Sequence, residues 1–131
     1  MDYQVYYEKA HKANALLEAG DHMGAIAIFE ELIAGDISNL DKANMCQNIA
    51  VCCNKLGFTD QAIAWYDEGI RYEAPLLRGL ILEYKAAFLA EKRRDAEAIA
   101  IYEQLYSAPF VMEVDKERIW KNLTILRNPR P

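Results

Sequence analysis

GAIAIFEEL at residues 24–32, QAIAWYDEG at 61–69 and EAIAIYEQL at 97–105 are one phrase written three times. A small residue, Ala25, Ala62 or Ala98, is followed four positions on by an aromatic, Phe29, Tyr66 or Tyr102. The period is 37 residues and then 36. The frame extends upstream: Ala13, Ala50 and Ala86 each stand twelve residues before those alanines, and Leu16, Cys53 and Leu89 nine before. Self-similarity at a period of ~20–50 residues marks a repeat architecture, each copy being one supersecondary unit.

Within a copy the apolar spacing is helical. Met45, Cys46, Ile49, Ala50, Cys53 and Leu56 recur at three- and four-residue steps, the stripe of an amphipathic helix. Gly57 supplies the left-handed residue that ends it, and Thr59 is placed to cap the next helix. That second helix carries Ala62, Ile63, Tyr66, Gly69 and Ile70 on one side and stops near Glu73-Ala74-Pro75, where proline restrains its predecessor. The first copy follows the same plan, with Gly20-Asp21 as the inner turn and Gly35-Asp36-Ile37-Ser38 as the exit. In the third, Arg93 replaces the turn glycine, Asp95 is the expected cap, and Ser107-Ala108-Pro109-Phe110 breaks the chain. A last helix over about 113–126 carries Val114, Ile119, Trp120, Leu123 and Leu126.

The expected organisation is therefore one all-α domain over 1–131, with hairpins at about 5–36, 40–73 and 76–107 and a capping helix over the open end. Two short helices cannot bury their apolar face alone, so neighbouring hairpins must stack and share it. The alanines allow close approach, and Phe29, Tyr66 and Tyr102 fill the space between layers.

Composition narrows the function. A formal charge of −5 is the wrong sign for a phosphate backbone, so no nucleic acid is expected, and Lys92-Arg93-Arg94 reads as a solvated tip. Three clustered cysteines, Cys46, Cys52 and Cys53, form no disulfide framework and read as small core hydrophobes in a reducing compartment. No basic region leading into an apolar run follows Met1, and no stretch of about 18 apolar residues is present; the reading is cytoplasmic, with no membrane association. Asn122-Leu123-Thr124 matches a glycosylation acceptor by chance.

The alternation of a small residue, an aromatic four on and a small or apolar residue three beyond resembles the tetratricopeptide repeat. Ala25–Phe29–Leu32, Ala62–Tyr66–Gly69 and Ala98–Tyr102–Leu105 match that family's second-helix signature; Ala13, Ala50 and Ala86 take its first-helix small position, and Gly20 and Gly57 its turn. The likeness covers about residues 5–106. The copies are longer than the family's usual ~34 residues, and Lys9, Cys46 and Leu82 stand where a large aromatic is usual. The resemblance implies a right-handed superhelix of three tetratricopeptide-like hairpins plus the capping helix, and a non-catalytic module that binds an extended peptide or partner segment in a concave groove.

That groove is lined by first helices. Counted from the turn glycine, its positions are Tyr7, His11, Asn14 and Glu18, then Asn44, Gln47, Asn48, Val51, Asn54 and Lys55, then Glu83, Tyr84, Ala87 and Glu91. The candidate binding residues are accordingly Tyr7, His11, Asn14, Asn44, Gln47, Asn48, Asn54, Lys55, Glu83 and Tyr84. Asparagine is a poor helix former because its side chain competes for the backbone, so Asn14, Asn44, Asn48 and Asn54 weaken their helices for no gain in core. Amides offer both donors and acceptors to a peptide backbone. Asn14 and Asn48 also fall at the two asparagine positions of the family's carboxylate-clamp co-chaperones, but the cationic positions of that subfamily hold Ala10, Leu80 and Tyr84 here.

Nothing in the sequence assembles a catalytic set. The glycines are scattered, His11 and His22 lack metal-site spacing, and Cys52-Cys53 has no fixed cation beside it. No enzyme activity, metal or cofactor is expected. Two further readings stay open: self-association, as in a homodimer, through the terminal helix and the tyrosines Tyr3, Tyr6 and Tyr7, and sensing of a small ligand in the groove.

Overall fold

The computed structural model describes residues 2–128. They are all-helical: seven α-helices, one short 3-10 turn and no strand among the described residues. The helices are α1 (Tyr3–Glu18), α2 (His22–Ile33), α3 (Asn39–Lys55), α4 (Thr59–Glu73), α5 (Leu80–Glu91), α6 (Asp95–Ser107) and α7 (Glu113–Arg127). They fall into two compact units, residues 2–73 and 74–128.

In the first unit α1 packs on α2, α3 on α4, and α2 on α3, so the two hairpins share a layer. In the second, α5 packs on α6 and α6 on α7. The repeat positions form the core. Ala13, Ala25, Ala50, Ala62, Ala86 and Ala98 are wholly buried, and so, nearly, are Phe29, Tyr66 and Tyr102.

The three inner turns share one backbone. Asp21 N–H donates to Leu16 C=O (2.8 Å), Phe58 N–H to Cys53 C=O (2.8 Å) and Arg94 N–H to Leu89 C=O (2.9 Å). A second bond precedes each: Gly20 N–H to Leu17, Gly57 N–H to Asn54, Arg93 N–H to Ala90. This paired closure needs one left-handed residue, and Gly20 (φ 82°), Gly57 (φ 82°) and Arg93 (φ 64°) provide it. The leucine–cysteine–leucine position of the repeat is thus the carbonyl that closes each hairpin.

Two caps differ from expectation. Thr59 is the first residue inside α4, and the carbonyl of Phe58 before it accepts from Ala62. Asp95 likewise lies inside α6; Arg94 takes the cap position without a side-chain cap bond. In both hairpins the turn closure spends the residue after the left-handed one as the cap, one place earlier than the polar residue. Asp21 and Ser38 do cap, accepting from Gly24 N–H (2.9 Å) and Asp41 N–H (3.1 Å).

On α7, Ile119, Leu123 and Leu126 are buried, whereas Val114 (65% exposed) and Trp120 (49%) face away. Positions 119, 123 and 126 lie on one helical face; 114 and 120 turn off it.

Candidate binding face

The first unit contains most of the candidate residues. Tyr7, His11 and Asn14 follow one another at three- and four-residue steps on α1, and all are exposed. On α3 the amides Asn44, Gln47, Asn48 and Asn54 are each half-buried, and Lys55 is exposed. None of these amide side chains hydrogen-bonds a described residue. Their polar atoms keep access to water, so a ligand that bonds them exchanges water for a partner, a net gain of about 0.5–1.5 kcal/mol per bond.

Three of the candidates meet in one cavity of about 300 Å³. Gln47, Asn48 and Lys55 line it together with His22, and Leu17, Val51 and Cys52 complete the wall. Tyr7, His11, Asn14, Asn44 and Asn54 lie outside it. His22 also has its Nδ1 buried with no hydrogen-bond partner; an orphaned polar atom of this kind costs roughly 1–3 kcal/mol. His22 was not among the expected site residues. The signal was present, since it directly follows the Gly20-Asp21 turn and the hairpin sets it at the start of α2, beside the C-terminal half of α3.

The cysteines behave as core. Cys46, Cys52 and Cys53 are buried and unbridged. Burial pushes the Cys46 thiol up to about 12, with Glu68 adding to the effect and Arg71 opposing it. Burial also raises Cys52 and Cys53; for Cys52 the Lys55 ammonium pulls the other way. Thiols held protonated in this way are poor nucleophiles. Among the described residues no group of three or more His, Cys, Asp or Glu is placed to hold a metal ion. No helix among them is long and apolar enough to cross a membrane.

The tyrosines at the start of α1 divide by role. Tyr6 is buried, and its hydroxyl donates to the carboxylate of Asp41 on α3; burial, then Asp41, raises its pKa. Asp41 also accepts from Ser38 Oγ (3.0 Å). Tyr3 and Tyr7 remain about 60% exposed, their rings 6.3 Å apart. One tyrosine fastens α1 to α3, and two present aromatic surface.

Glu83 and Tyr84 belong to the second unit. Tyr84 is exposed. The Glu83 carboxylate is already engaged: Arg118 of α7 donates to it through Nε (2.7 Å) and Nη2 (2.8 Å), and through Nη1 to Asp115 (2.9 Å). These contacts push the Arg118 guanidinium's pKa up, Glu83 contributing most. A planar fork meeting a carboxylate with two parallel bonds is the strong form of this pair. Beside it, Leu77, Leu80, Phe110 and Met112 surround a cleft of about 260 Å³. No model of a known protein family matches this chain, and no curated protein matches it.

Proposed function

We propose that the chain is a non-catalytic protein-binding module of the tetratricopeptide-like type, acting in the cytoplasm, and that it holds an extended partner segment against α1 and α3. The observation that carries this reading is the set of four half-buried amides on α3, none spent on the protein itself. Asn14, His11 and Tyr7 on α1 add polar and aromatic contact, and tyrosine is favoured at interfaces. Three repeats at near-constant period, with every repeat alanine buried, support the family likeness.

The test is affinity capture followed by mass spectrometry, with the wild-type chain beside the double variant Asn14→Ala, Asn48→Ala. The double variant is expected to lose partners while its far-UV circular dichroism stays unchanged. Retention of every partner would remove the binding face from this surface.

A second reading, self-association, has its own support in the apolar residues that α7 and its entrance leave exposed: Met112, Val114, Trp120 and Ile125. Light scattering across a concentration series separates the two. A dimer abolished by Trp120→Ala favours association.

A further inference from the structure

The first unit segregates its charge by helix. Residues 2–73 contain twelve acids and five lysines or arginines, a formal charge of −7, more negative than the whole chain at −5. α1 and α3 are nearly balanced, with three acids and four lysines. The surplus is on α2 and α4, where Glu30, Glu31, Asp60 and Asp67 are exposed, Glu68 is half-buried, and Arg71 is the one lysine or arginine. Arg71 pairs with Glu68, and Lys9 of α1 reaches Glu31. The carboxylates of Glu30 and Asp60 have no ion pair with a described residue. Beside these acids lies an apolar cleft of about 300 Å³, walled by Ile33 of α2 and by Ala64, Trp65 and Glu68 of α4. Asp60, Ala64 and Glu68 follow at four-residue steps and share one strip of α4, while Glu30 stands one turn before Ile33 on α2. The acids are not grouped as metal ligands.

We infer that the α2–α4 side of the first unit docks a cationic segment of a partner protein, with one apolar side chain seated in this cleft and a lysine or arginine on either side of it. The surface uses none of the residues of the α1–α3 binding face. Charge complementarity selects the occupant. An acidic or phosphorylated segment meets like charge there, and a neutral apolar one gains nothing from Glu30 and Asp60. Asp60 and Glu68 are separated by roughly 12 Å along the helix. An extended segment turns residues i, i+2 and i+4 to one side, with i and i+4 roughly 13 Å apart. Two cations bracketing an apolar residue therefore match the strip. Arg71 leaves room for the second cation, because a carboxylate has about four acceptor sites and an exposed ion pair holds it weakly.

The test is an NMR titration of the nitrogen-15-labelled full chain, read at the indole N–H of Trp65, one of two tryptophans. The probes are acetyl-Lys-Ala-Leu-Ala-Lys-amide, the same peptide with glutamates in place of its lysines, and the lysine peptide with alanine in place of its leucine. The lysine–leucine peptide is expected to shift the Trp65 signal and to bind about fivefold tighter than either control. Glu30→Gln and Asp60→Asn together should weaken it by about fivefold, the size of two exposed ion pairs, and added salt should weaken it in the wild type. The Asn14→Ala, Asn48→Ala variant should bind it unchanged. The inference is overturned if either control binds as well, if the double charge variant keeps the affinity, or if Trp65 does not move. A response at Gln47 and Asn48 in place of Trp65 would put the peptide on the α1–α3 face, overturning this inference while leaving the reading above in force. A Trp65 signal that moves with protein concentration alone would give the cleft to a second copy of the chain and overturn it equally.

Discussion

Residues 2–73 and residues 74–128 start from the same hairpin and treat their polar groups in opposite ways. In the first unit the second hairpin shares the first one's layer, and α3 is left with amides that no described side chain answers. In the second unit α7 packs on α6 and returns Arg118 to Glu83, so that the carboxylate on α5 is satisfied within the unit. A helix face whose polar groups are already paired gains little from a ligand, because binding exchanges one good hydrogen bond for another. A face whose amides are bonded only by water gains about 0.5–1.5 kcal/mol for each bond a ligand makes. That contrast, more than the repeat itself, is what directs the binding proposal to the first unit.

The largest test of the comparison is in the cores. Phe29→Ala and Tyr102→Ala each remove one buried aromatic from one unit, and each is expected to destabilise that unit by about 3–5 kcal/mol. Hydrogen exchange read helix by helix checks it. Protection should collapse first in α1–α4 for Phe29→Ala and in α5–α7 for Tyr102→Ala. Equal loss throughout the chain for both variants would mean that the two units fold as one.

Alkaline pH should distinguish the units next. All three cysteines are buried in the first unit and none lies in the second. Below pH 9 the Cys46 thiol is protonated in both folded and unfolded chains. Its folded pKa is raised from 9.0 to about 12, so between those values only the unfolded chain gives up the proton. Stability is therefore intact below pH 9 and falls as pH rises, by roughly 1.4 kcal/mol per pH unit for this thiol. Cys52 and Cys53 shift in the same direction. Denaturant unfolding between pH 8 and 10 should show α1–α4 weakening first, and Cys46→Ala should flatten the slope.

The turns give a third, smaller contrast. Gly57 and Arg93 occupy the same left-handed position, but arginine carries a Cβ that clashes there. Arg93→Gly should stabilise the second unit, and Gly57→Ala should destabilise the first, each by about 1 kcal/mol. Thermal melts report both; a neutral Arg93→Gly would mean that the arginine side chain offsets its backbone strain.

Much of this was legible in the sequence. The phrase repeated at 24, 61 and 97 placed the hairpins, the buried alanines and the buried aromatics Phe29, Tyr66 and Tyr102, because a period and a helical stripe are local signals. The left-handed role of Arg93 was legible from its register with Gly20 and Gly57. The caps at Thr59 and Asp95 were misplaced by one residue, because the turn closure is a backbone pattern that polar side chains do not announce. The Glu83–Arg118 pair spans 35 positions, a separation at which charge patterning is silent. Counting from the turn glycine marked Gln47, Asn48 and Lys55 as expected groove positions; that His22 and Cys52 line one cavity with them follows only from hairpin geometry.

The smallest expected effect is the most discriminating. If the α3 amides are unspent, removing them costs the fold nothing. Alanine is the better helix former, so Asn44→Ala, Gln47→Ala, Asn48→Ala and Asn54→Ala should each leave stability within about 0.5 kcal/mol of wild type, or raise it slightly. Matched denaturant curves measure this. A loss above about 1 kcal/mol at any of the four would indicate a structural hydrogen bond and would return that amide to the scaffold. Neutral stability together with lost partner capture is the combination that a scaffold role cannot produce, because a residue that supports the fold cannot be removed without cost and a residue that only meets a partner can.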